Sequence, residues 1–139
     1  MDLNSGKLRP IDDSDTNLLN KYTQTDLVFQ SPLTCYKIAV PNPALAILAK
    51  PNGYFDDDLT PSDHFHLTQF LSENYGYEIF GLGESTVCFV RSESFGQEEI
   101  RKVIDSIKGL YLNANKQILD RWVDVAKEKR WFLMHNNGV

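Results

Sequence analysis

From Ser94 to about Leu133 the chain carries a single apolar period, and this constrains the fold more than any other feature. Stepping at about 100° per residue from Ile100, the residues Val103, Ile104, Ile107, Tyr111, Ala114, Ile118, Trp122, Val125 and Phe132 stay within about 60° of one meridian. Lys102, Asp105, Lys116, Asp120 and Lys127 fall on the opposite side. Ser94 reads as an N-cap, with Gln97 three residues on completing a capping box. Glu98 and Glu99 then occupy the first turn, where the helix dipole favours negative charge. Lys127, Lys129 and Arg130 enrich the last turns, and Asn136, Asn137 and Gly138 supply stop residues. The expectation is one long amphipathic helix against which a small sheet packs.

A helix of this length is a rod of roughly 50 Å. A compact chain of this size has a diameter of roughly 35–40 Å, so a straight helix overhangs its own domain. Two outcomes follow. Gly109 costs about 1 kcal/mol against Ala in a helix, and Asn113 and Asn115 are weak helix formers, so a kink between Gly109 and Asn115 would fold the end back. Otherwise the far end is an interface for a second copy or another protein, built from Leu112, Ile118, Leu119, Trp122, Val125 and Phe132. A membrane-surface role is disfavoured, because the polar face mixes acids with bases.

At 139 residues and 42% apolar content the chain is long enough for one domain with a real core. Its net charge of −5 and pI near 5.1 argue against a general nucleic-acid binder, which needs a basic patch. No apolar run approaches the roughly 18–20 residues of a membrane span. Met1–Asn4 lack the basic and apolar regions of a signal peptide, which makes the cytoplasm the expected location. Cys35 and Cys88 sit inside apolar runs and read as buried free thiols in a reducing compartment.

Residues 1–25 are polar and acidic and read as a flexible arm, with residues 26–139 forming a single α+β domain. Asp26–Gln30 is a weak strand, and Cys35–Val40 a better one, ended by Pro41-Asn42-Pro43. Ala44–Lys50 reads as a buried strand or as two helical turns entered through Asn42 as cap and Pro43, with strand favoured for its shortness. Asp56, Asp57 and Asp58 lack the spacing of a calcium loop and read as a solvated acidic loop. Thr60, Pro61 and Asp63 open a helix whose apolar face holds His64, Leu67, Phe70 and Leu71, with Asn74 or Gly76 as its stop. On that helix His64 and His66 diverge by about 200°, which disfavours a shared metal. Tyr77–Ser92 reads as a β-hairpin turning at Gly81–Glu84. In its second arm Val87 and Phe89 share one face and Thr86, Cys88 and Val90 the other, and both faces are apolar enough for a central strand.

The fold class expected is therefore α+β: a small antiparallel or mixed sheet of about four strands, with a short helix and a long C-terminal amphipathic helix packed on one face. The absence of a strand after the long helix sets this apart from an ordinary ferredoxin-like arrangement. No catalytic, cofactor or metal motif stands out, and no cofactor is expected. The leading reading is a small acidic cytosolic protein-binding module of adaptor, dedicated-chaperone, immunity or inhibitor type. It would bind a protein partner or form a homodimer, and would contact no nucleic acid and no membrane. The alternatives are a small-molecule sensor, with a pocket lined by Tyr36, Tyr54, Phe55, Phe70, Tyr77 and Phe80, and an enzyme using His64 with Asp56–Asp58 or Glu78.

Overall fold

The computed structural model describes residues 2–3, 37–49, 59–82, 86–111, 116–127 and 130–135. A 3-10 turn at Pro43–Leu45 leads into the short helix α1 (Ala46–Ala49), and α2 (Pro61–Tyr75) follows. The strands β1 (Glu78–Leu82) and β2 (Thr86–Val90) come next, then α3 (Gln97–Ile107) with a 3-10 turn at Lys108–Leu110. The helix α4 (Lys116–Lys127) and the strand β3 (Trp131–His135) complete the order. The chain is thus a mixed helix-and-sheet structure, with an antiparallel sheet of order β1-β2-β3 among the described residues.

Local chemistry explains α2. The Thr60 hydroxyl accepts from the Asp63 backbone N–H at 3.2 Å, and the Asp63 carboxylate accepts from the Thr60 N–H at 3.1 Å, a reciprocal capping box. Gly76 ends the helix at φ 68°, the left-handed conformation that glycine adopts without a Cβ penalty. The hairpin is also as expected in its alternation: Val87 and Phe89 are buried and Cys88 and Val90 half-buried. β2 lies between β1 and β3, the central position expected for it.

Four expectations are overturned. Ala44–Lys50 does not begin as a strand: the Asn42 side chain accepts from Ala44 N–H at 2.9 Å and starts helical turns that run to Ala49. Lys37–Val40, the described part of the expected Cys35–Val40 strand, has no regular structure. The cap of α3 is Gly96, two residues past Ser94, and the Glu99 carboxylate, not Gln97, accepts from the Gly96 N–H at 2.6 Å. Between Ser94 and this cap, the Phe95 ring is held against Tyr77 and Arg91.

The fourth correction is the largest. The long helix is two helices and a strand. α3 ends at Ile107, where Gly109 and the 3-10 turn interrupt it, inside the region of weak helix formers. α4 then packs along α3, tied by an ion pair of 2.6 Å between Arg101 and Asp120. After α4 the chain returns to the sheet as β3, the strand that the sequence had seemed to lack. Arg91 N–H donates to the Arg130 carbonyl at 2.9 Å and Arg130 donates to the Ser92 carbonyl at 3.1 Å, fixing the entry of β3 beside the end of β2. The strand count among the described residues is three, against the four expected. Asp26–Gln30, the Asp56–Asp58 loop and the C-terminal stop residues lie outside the described residues.

A single core joins these elements. Ile47, Leu59, Leu67, Leu71, Val87 and Phe89 pack with Ile100, Val103, Ile104, Ile107 and Leu110 of the α3 segment. Leu119, Val123 and Ala126 of α4 and Met134 of β3 complete it, and Leu3 rests half-buried against it.

Candidate functional site

The residues expected to form an interface do not stay on one stripe. Leu119 is 8% exposed and belongs to the chain's own core. On α4 the inward face is Leu119, Val123 and Ala126, at i, i+4 and i+7. Ile118, Trp122 and Val125 occupy positions about 100° round the same helix, a second apolar stripe beside the first. Phe132 is on β3, in register with the buried Phe89, and not on a helix at all. Leu112 lies outside the described residues. The expected stripe therefore divides between a helix side and the sheet.

The sheet itself offers a different surface. The register pairs Ile79 with Phe89 and Gly81 with Cys88, so Phe80 is an extra residue in β1. Such a bulge re-aims a side chain and interrupts the ladder on an edge strand. Phe80 is 55% exposed, and with Leu48 it is one of two large apolar side chains that stand out from the described surface. Glycine at position 81 serves this geometry: a Cβ there would meet the Cys88 Cβ at 3.3 Å and its Sγ at 3.4 Å. In the register of β2 with β3, Val90 is paired with Trp131 and Cys88 with the Leu133 position, and Cys88 and Trp131 pack half-buried against the core. Cys88 is a free thiol, and desolvation pushes it up to about 12, which holds it in the unreactive protonated form.

At the far end of β2 lies the most unusual polar group. Arg91 is 6% exposed. Its guanidinium carbon is 2.9 Å from the centre of the Phe95 ring and 5.4 Å from that of Tyr77, and the two rings meet edge to face at 6.1 Å. Nε and Nη2 of Arg91 are buried and have no hydrogen-bond partner among the described residues. Burial lowers the Arg91 pKa from its ordinary value, opposed by Tyr77, Glu93 and Glu99. Burial also pushes Tyr77 up to about 12, against the opposing pull of Arg91. Sequence reasoning missed this cluster, because no local pattern marks an arginine that folding will bury.

The two histidines separate as the helix dictates. His64 is buried on the inward face of α2, and burial lowers it to about 4, with Asp63 opposing. His66 is exposed, and its Nδ1 lies 2.7 Å from the Ser62 carbonyl. Glu78 is exposed on β1. Among the described residues no three histidine, cysteine or acidic side chains gather as a metal site would require. Nor is any described helix long and apolar enough to cross a membrane. Comparison with known proteins returned no matching family model, no matching curated protein and no matching solved structure.

Proposed function

We propose that this chain is a small acidic protein-binding module, of adaptor, dedicated-chaperone, immunity or inhibitor type, acting in the cytoplasm without catalysis. The observation that carries this reading is Phe80, held 55% exposed on a bulge of the strand β1. An aromatic ring projected from a rigid element is the kind of anchor on which binding energy concentrates. The bulge hinders backbone pairing along β1, so a partner would dock on side chains and not by adding a strand. The half-buried Val90 and Trp131 across the sheet supply apolar surface beyond the anchor. The second stripe of α4 at Ile118, Trp122 and Val125 is a further contact for a partner or a second copy. The acidic balance of −5 favours a partner with a basic surface. A free thiol at Cys88 accords with a reducing compartment.

The test is a photo-crosslinking residue placed at position 80, with a control at the exposed Lys102, in native-cell extract. Support is one discrete adduct formed at position 80, absent at 102 and lost in Trp131→Ala, whose melting temperature must stay near wild type. Equal labelling at both positions refutes the reading. Light scattering over a tenfold range of concentration then decides whether the captured protein is a second copy of this chain. The small-molecule alternative has one specific observation in its favour, the unpaired edge of Arg91.

A further inference from the structure

Two sides of α3 are continued, in phase, by two sides of α4. Leu119 stands about five helical turns beyond Arg101, and Val123 and Ala126 lie within about 40° of the same line. Ile118, Trp122 and Val125 stand in the same relation to Ile100, one position round. Two helices joined by a reversal have no need of this match, because each takes its own rotation. A single straight helix requires it. The backbone is close to that alternative. Ile107 (φ −109°, ψ −11°) and Lys108 (φ −56°, ψ −29°) are both in the right-handed helical region, and the chain turns away at Tyr111 (φ −94°, ψ 133°).

Straightening would carry α4 and β3 off their own domain and leave their places to the same elements of a second copy. The contacts to be remade are already present in the closed chain. They are Arg101 with Asp120 at 2.6 Å, the buried Leu119, Val123 and Ala126, and the antiparallel pairing of β3 with β2 from Thr86–His135 to Val90–Trp131. Two-fold symmetry adds one condition. Each long helix, lying antiparallel beside the other, must turn one side to its partner along its whole length. On α3 this is the side that receives α4, marked by Arg101, and on α4 it is the side buried in the domain, marked by Leu119. The straight helix brings these two onto one line.

We propose that this chain forms a two-fold dimer by exchanging α4 and β3, with α3 and α4 running on as one helix through the reversal. The closed and exchanged forms share their contacts except at the reversal, so protein concentration during folding decides between them. The exchange uses the α3–α4 and β2–β3 contacts and not Phe80, so it stands or falls separately from the protein-binding reading.

The experiment refolds the full chain from urea at low micromolar and at near-millimolar concentration. In a second arm, Arg101→Cys and Asp120→Cys chains are mixed in equal amounts before refolding. Both side chains are 40% exposed, so the loss of their ion pair costs the fold little. Neither chain holds both new thiols, so a disulfide between positions 101 and 120 joins two copies, with α4 of one lying on α3 of the other. The expected result is a dimer by light scattering that forms at the higher concentration only. It persists on dilution, because release requires β3 to leave β2, and peptide mapping of the mixed chains finds the 101–120 disulfide. Leu112→Pro tests the continuous helix. The residue before a proline is held extended, as Tyr111 already is in the closed chain. A proline inside each of two helices lowers the dimer constant by about four orders of magnitude. Three results overturn the proposal. The chain is a monomer after refolding at both concentrations. A dimer forms without the 101–120 disulfide, as a contact between closed chains would. A Leu112→Pro chain melts near wild type and still dimerises.

Discussion

His64 makes folding stability depend on pH in a window that can be worked out. Its side chain is 1% exposed on α2, and desolvation lowers its pKa from 6.5 to about 4. The unfolded chain leaves the imidazole near its ordinary value, so between the two values the unfolded state binds a proton that the folded state refuses. Stability from this group is complete above pH 6.5, falls as the pH drops toward 4, and is flat below that. Each pH unit in the window is worth about 1.4 kcal/mol, so the whole effect is about 3 kcal/mol, and about 2 kcal/mol is gone near pH 5. Carboxylates titrate in part of the same window, and the measurement must separate them. Urea unfolding of wild type and His64→Gln, at about pH 8 and pH 5, does so by difference. The variant loses stability at both pH values, but wild type should lose about 2 kcal/mol more than the variant between them. Parallel losses would refute the argument, because they would mean that the buried ring accepts a proton as readily as the unfolded one.

Two further outcomes test other parts of the structure. Thr68 presents a buried hydroxyl oxygen with no partner among the described residues, so Thr68→Val, nearly the same shape, should raise unfolding stability by about 1 kcal/mol in urea melts. Trp122→Asp should leave the melting temperature close to wild type and weaken self-association or partner capture; a collapse of the fold would place Trp122 in the core and end its part in an interface.

What the sequence made legible was chemistry of short range. Thr60, Pro61, Asp63 and Gly76 bound α2 through contacts within four residues of one another, and those contacts form as read. The alternation of Val87 and Phe89 against Cys88 and Val90 is likewise a property of one strand. The C-terminal half failed for a physical reason. Ile118, Trp122 and Val125 are in phase with Ile100, Val103 and Ile107, which suggested a continuous helix. The break near Gly109 frees α4 to choose its own rotation, and it buries Leu119, Val123 and Ala126, one residue along. Phe132 continues the same apolar phase, and only pairing with β2, some forty residues earlier, makes Trp131–His135 a strand. Arg91 was invisible because its burial comes from Phe95, Tyr77 and the end of the sheet together.

The reversal between α3 and α4 also changes the case for an interface on the C-terminal half. The overhang argument needed a rod of roughly 50 Å. Helices of 11 and 12 residues are each about 17–18 Å long and fit within the domain, so no length is left to cover. What survives is narrower and rests on composition. With Leu119, Val123 and Ala126 in the core, Ile118, Trp122 and Val125 hold the adjacent positions of the helix, about 100° round. The polar residues of α4 are Lys116, Gln117, Asp120, Arg121, Asp124 and Lys127, of mixed sign, with Asp120 engaged by Arg101 and Asp124 by Lys127. The charges of α4 nearly cancel along the helix, whereas the edge bearing Phe80 sits next to the exposed Glu78. The two surfaces therefore predict different salt dependence. Binding through α4 should change little with ionic strength, and binding of a basic partner beside Glu78 should weaken as salt rises.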